Sequence, residues 1–174
     1  MEVFEGRLKV KISLRFNSNG LMVSLYLIQH GKAFDEKVDP ERKLTPEGVS
    51  ETERIAKYLS GVGITVTEIV HSGKARAKQT AEILARYLGV SNVREVDGLN
   101  PNDDPRIWFE RILRLDHDLM IVGHLPHLSR LTSLLITGNP DIKVVEFRYS
   151  GVLRLSKAES NWVINWFITP DLVH

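Results

Sequence analysis

The chain has no cysteine, which excludes disulfides, thiolate metal sites and thiol nucleophiles together. Its 174 residues contain no apolar run near the roughly 20 residues that span a bilayer. An excess of one charge is also missing: 23 Lys and Arg stand against 22 Asp and Glu, a formal net charge of +1. That balance argues against a nucleic-acid binder working through a broad basic face, and against a polybasic membrane anchor. It leaves room for a small anionic ligand, which needs only a few local cations. Residues 1–20 carry charge throughout and lack an apolar core, unlike a signal peptide. Hydrophobic residues make up 43% and charged residues 26%, the balance of an ordinary globular domain long enough to bury one sizeable core. The expectation is a soluble, cytoplasmic, single-domain protein that binds neither nucleic acid nor membrane.

Strand-like and helix-like segments alternate along the chain. Leu8, Val10, Ile12, Leu14 and Phe16 recur at period two, with Arg, Lys or Ser between them, as in a half-exposed strand. Asn17-Ser18-Asn19-Gly20 follows as a turn. Residues 1–21 thus read as an N-terminal extension with a β-strand, ahead of a domain over 22–174. The extension could form a hairpin with the next strand, pair at a sheet edge, or pair on another subunit, and Met22 could be the natural start. Leu21 to Ile28 is almost wholly apolar, as in a strand covered on both faces. Thr45-Pro46-Glu47 opens a helix whose stripe is Val49, Thr52, Ala56 and Leu59, with Gly61 as its stop. Thr65 to Val70 predicts a strand, Lys74 to Leu88 a helix, Val93 to Val96 a strand, and Asp104-Pro105 a capped helix start. Leu119 to Val122 is a fourth strand of this series, and Pro126, at the first helical position, opens a helix that Gly138 ends. Val144 to Phe147, Val152 to Ser156 and Trp162 to Ile168 close the chain as three strands. This order predicts a three-layer αβα sandwich, with a mostly parallel central sheet and an antiparallel edge.

In such a sheet, ligands bind beyond the C-terminal ends of the strands. The first core strand ends in Gln29-His30-Gly31, the next in His71-Ser72-Gly73 just before Arg76, and the fourth in Gly123-His124. Two imidazoles, an arginine fork and a helix N-terminus suit a phosphoryl group. One neutral imidazole could attack phosphorus while the other donates to its oxygens. Each feature alone is weak, since a histidine after a strand is commonly a turn residue and an arginine at a helix start is commonly solvated. Their conjunction carries the weight. His124-Leu125-Pro126-His127 has a metal-like spacing, but no third ligand lies nearby in sequence, so zinc is not expected. His71 reads as structural, and His117 and His174 as surface residues. Lys32, Lys74 and Lys78 could add positive potential.

The segment Leu25 to Ala33 resembles the signature of the histidine phosphatase superfamily, the phosphoglycerate-mutase-like fold, whose motif is Arg-His-Gly after an apolar strand. Leu44-Thr45-Pro46-Glu47-Gly48, Arg76-Ala77-Lys78-Gln79-Thr80-Ala81 and Val122-Gly123-His124 are similar to its further motifs, in the same order. His124-Leu125-Pro126 and the Trp-rich final strand resemble the SixA-type phosphohistidine phosphatases in particular. The resemblance implies a nucleophilic role for His30, through a phosphohistidine intermediate that water hydrolyses. It implies that Arg76 and His124 hold the phosphoryl oxygens, with Gln29 lining the same site. It implies no metal and no organic cofactor, and as partner a phosphorylated small molecule or a phosphohistidine-bearing protein.

Two departures stand out. Gln29 occupies the position of the family's Arg. Leu125 stands where acid-phosphatase relatives place an acidic residue, with Asp103 and Asp104 as the carboxylates in a loop that could reach the pocket. Lack of a strong acid suits a phosphoramidate such as phosphohistidine better than an alkyl ester with a poor leaving group. Three readings compete: a phosphohistidine phosphatase, a general phosphomonoesterase of the same fold, and a non-catalytic phosphate-sensing or interaction module.

Overall fold

The computed structural model describes residues 22–158 and 161–174; the expected strand over residues 8–16 and its turn lie outside them. The apolar run at the start of the described chain becomes β1 (Ser24–Gln29), buried at every position. It pairs in parallel with β4 (Leu119–Gly123) on one side and antiparallel with β5 (Val152–Ala158) on the other. Both of its edges are therefore taken. Outward from β4 come β2 (Glu68–His71) and β3 (Val93–Glu95), both parallel, and outward from β5 comes antiparallel β6 (Asn161–Ile168). The strand order is β3-β2-β4-β1-β5-β6.

Helices cover both faces, as the strand pattern demands. Tyr26 and Ile28, with Met120 and Val122, point into one core beneath α1 (Pro46–Gly61) and α2 (Ala75–Leu88). Leu25 and Leu27, with Leu119 and Ile121, point into the other, beneath α3 (Pro105–Leu113) and α4 (His127–Thr137). The period-two alternation of a strand thus feeds two separate apolar layers, and the result is an αβα sandwich. Thr45 caps α1 through its hydroxyl, which accepts from the Gly48 N–H, and Asp104 caps α3 by accepting from Arg106 N–H.

Four expectations need correction. Val144 to Phe147 forms no strand: the segment instead lays Val145 and Phe147 on the α3/α4 core, with Phe147 against Phe167 at 5.8 Å. The second strand begins at Glu68 rather than Thr65, because Glu68 is where pairing with Leu119 at the start of β4 becomes available. Gly61 is the last helical residue rather than the stop; Val62 is the cap, and Gly63 takes the positive φ of 76°. Pro126 is the N-cap of α4, with its first helical residue at His127. Among the described residues, no helix is long and apolar enough to cross a membrane.

Candidate active site

β1, β4 and β2 run in parallel side by side, so their C-terminal ends lie along one rim of the sheet. Gln29 is in register with Gly123, and His71 with Val122. His30 leaves β1 with its N–H donating to Gly123 O at 3.1 Å, and His124 follows Gly123 directly. The two imidazoles consequently meet, with ring centroids 4.9 Å apart. Arg76, the second residue of α2, reaches in from the helix N-terminus and donates from Nε to His30 Nε2 at 3.1 Å. The structure thus brings His30, Arg76 and His124 together, all buried.

The protonation state of His30 follows from its partners. Its Nδ1 lies 2.7 Å from Gly31 O, and a carbonyl can only accept, so Nδ1 carries the hydrogen. A guanidinium can only donate, so Nε2 presents a lone pair. Burial, reinforced by the charges of Arg76 and Arg42 and opposed by the Gly31 hydrogen bond, lowers the His30 pKa to about 4. Burial first, then the neighbouring His30, Arg76 and Lys74, push His124 down to about 2. Both rings are therefore neutral near pH 7.

The residues around Arg76 explain why helix α2 carries its pattern. Gln79 Oε1 accepts from the Leu44 N–H at 2.8 Å, and Thr80 Oγ1 accepts from the Gly31 N–H at 2.9 Å. One turn of helix therefore supplies the guanidinium and ties down both the loop after β1 and the entry to α1. Close approach fixes two glycines. A Cβ on Gly31 would meet Thr52 Oγ1 at 2.7 Å, and one on Gly48 would meet Lys32 O at 2.1 Å, so only glycine lets the His30 loop pack on α1.

Other expected residues have plainer places. Gln29 is buried at the end of β1, with its Oε1 lacking a hydrogen-bond partner. His71 is buried and accepts from the Gly73 N–H through Nδ1, a turn-stabilising contact. His117 bridges Asp116 and Glu68 at the half-exposed surface, and His174 lines a surface cleft beside α1. Lys32 pairs with Glu47. Lys74, the N-cap of α2, acts on His124 by charge, and exposed Lys78 acts on His71. Asp103 and Asp104 accept backbone hydrogens of Asn100 and Arg106 within their own loop, and no bond joins either to the histidines or to Arg76. His127 is the first residue of α4 and wholly buried. Among the described residues, no cluster of three or more His, Asp or Glu is placed to hold a metal ion.

Three residues near the site were given no role by the sequence. Ser72 Oγ lies 2.5 Å from His124 Nε2; its place at the end of β2 was the available signal. Arg42 has a left-handed backbone, φ 52°, and its charge acts on both His30 and Arg76. Tyr149 sets its ring 5.6 Å from that of His30. The last two lie in irregular loops, where periodicity gives no signal.

The chain is similar in sequence and in fold to known proteins. The model of the histidine phosphatase superfamily (branch 1) matches residues 25–101. An uncharacterized protein of Picosynechococcus sp. (strain ATCC 27264 / PCC 7002 / PR-6) is 32% identical over 123 residues, 67% of this chain and 74% of that one. The phosphohistidine phosphatase SixA of Escherichia coli (strain K12) is 26% identical over 155 residues, 85% of this chain and 94% of that one. The solved structure of the protein histidine phosphatase SixA complexed with tungstate shares the fold, with a TM-score of 0.78 at 24% identity, covering 86% of this chain and 99% of that one.

Proposed function

The chain belongs to the histidine phosphatase superfamily, and on that premise we propose that it is a metal-independent phosphatase acting on phosphohistidine or a closely related phosphoryl group in the cytoplasm. The lone pair of His30 Nε2 attacks phosphorus, and the bond from phosphorus to the leaving nitrogen breaks with its electron pair going to that nitrogen. Water then attacks the phosphorus of the His30 adduct. The P–Nε2 bond breaks, its pair returns to Nε2, and the two hydrogens of water end on the leaving group and on inorganic phosphate.

One observation carries this reading: Gly31 O and the Arg76 Nε–H together fix His30 as the tautomer with an unprotonated Nε2, whose lone pair accepts from the arginine. A group built only to bind phosphate gains nothing from such a lone pair, which repels the anion. Arg76 is a donor already in place for the oxygens, and neutral His124 supplies an N–H to the same group. Arg42 adds a second guanidinium charge. No carboxylate bonds to the two histidines or to Arg76 among the described residues, so nothing there is a strong proton donor for a departing alkoxide. That favours a labile P–N bond over an alkyl ester.

Phosphate release from phosphohistidine and from p-nitrophenyl phosphate, with EDTA present, tests the reading. Turnover should survive EDTA, favour phosphohistidine, and fall about 10,000-fold or more in His30→Ala, as loss of a covalent nucleophile requires. Activity that persists in His30→Ala, or vanishes with EDTA, would overturn it.

A further inference from the structure

The residues described so far engage the phosphoryl group; the group that departs needs a place of its own. Tyr149 stands at that boundary. Its ring lies 5.6 Å from the His30 ring at an inclination of 42°, yet the residue is 45% exposed. One side of the phenol therefore borders the nucleophile and the other faces solvent.

Its position is held from below. Ser150 adopts φ 57°, a conformation that non-glycine residues rarely take. The Ser150 N–H donates to Gln29 O at 3.0 Å, and its hydroxyl pairs with Thr52 Oγ1 at 2.9 Å. Thr52 donates in turn to Gly48 O at 2.7 Å. The end of β1 and the first turns of α1, which also carry the His30 loop, thus anchor the backbone beside Tyr149. Beyond the ring opens a groove of about 460 Å³, bordered by Lys32 and Arg148 and by Glu47, Glu51 and Asp171. Two cations against three acids give this groove no net attraction for a second phosphate.

We propose that Tyr149 forms the wall of a leaving-group subsite, and that the subsite takes a planar imidazole ring packed against the phenol face. In-line displacement sets the departing atom across phosphorus from His30 Nε2, on the way out of the pocket that Tyr149 borders. An aromatic wall suits a flat heteroaromatic group, which leaves without the strong protonation that an alkoxide requires. The inference rests on the phosphatase reading and adds the feature that selects the substrate.

The test compares kcat/KM on free phosphohistidine, on a phosphohistidine-bearing protein and on acetyl phosphate, which has no ring, for wild type, Tyr149→Ala and Tyr149→Phe. Tyr149 is exposed enough to truncate without opening the core. Tyr149→Ala should lower the ratio of either phosphohistidine substrate to acetyl phosphate about three- to tenfold, the range of an aromatic pair, mostly through KM. Tyr149→Phe should restore it. An equal loss on acetyl phosphate, an unchanged ratio, or a Phe variant as impaired as Ala would each overturn the proposal. A loss confined to the protein-borne substrate would put Tyr149 against the carrier's surface rather than the ring, and would overturn it too. If wild type turns over none of the three, the phosphatase reading falls and the subsite with it; if wild type is active and only the ratio fails to move, the subsite falls alone.

Discussion

Gln29 ends β1 buried, with its carbonyl oxygen unpartnered, at the position where the resembling family carries an arginine. A neutral amide contributes about 0.5–1.5 kcal/mol to an anion contact, against roughly 1.5–3 kcal/mol for a charged donor. Gln29→Arg should therefore tighten inhibition by inorganic phosphate about fivefold to tenfold at pH 7. The same added charge disfavours the His30 imidazolium, so the pKa of His30, already held near 4 by burial and by the charges of Arg76 and Arg42, should fall further. Inhibition assays and an imidazole NMR titration read the two effects separately. Unchanged phosphate inhibition would show that Arg42 and Arg76 already saturate the need for positive charge.

Between elements, the tightest constraint is where the His30 loop meets α1. Gly48→Ala would drive a methyl group to within 2.1 Å of Lys32 O and 2.8 Å of Lys32 N. Backbone cannot yield as a flexible side chain can, so the variant should lose about 1–3 kcal/mol in denaturant unfolding, together with activity. Gly61→Ala, on the last turn of the same helix with nothing within 4 Å, should instead gain about 0.4–1 kcal/mol. Equal effects at the two positions would remove close approach as the reason for Gly48. These contacts also show what the sequence could convey. The helices of the central αβ run were legible because their caps and stripes are local: Thr45, Asp104, and the alanines of α2. The site was legible because His30 and His124 directly follow apolar strands, and Arg76 opens a helix. Arg42 and Tyr149 were not, because what recruits them is a loop path. Val144 to Phe147 misled for a related reason: its strand-like residues are apolar because they pack on the α3/α4 core and on Phe167, partners that lie elsewhere in the chain.

At the scale of the whole molecule, burying two neutral imidazoles makes the fold sensitive to acid. An unfolded histidine takes up its proton near pH 6.5, whereas folded His30 resists until about pH 4 and His124 until about pH 2. Between those values the unfolded chain binds more protons than the native one, so stability rises with pH across the interval and is lost as pH falls from 6.5. Each histidine contributes a slope of up to about 1.4 kcal/mol per pH unit. His117 works in the opposite direction: burial lowers its pKa, but its bonds to Asp116 and Glu68 outweigh this and raise it. Its contribution is complete below pH 6.5 and lost only as pH rises through its folded value, so it does not offset the slope below 6. The denaturant midpoint should therefore drop steeply between pH 6.5 and 5, and the doubly substituted His30→Gln, His124→Gln chain should lose part of that drop, the remainder coming from His71 and His127, whose pKa values burial also lowers. Inorganic phosphate should flatten the wild-type curve as well, because an anion between the rings favours their protonated forms and binds only the folded state. A slope left unchanged by both the double substitution and phosphate would assign the acid sensitivity to groups outside the site, His71 and His127 among them, and the two imidazoles would then contribute no acid sensitivity of their own.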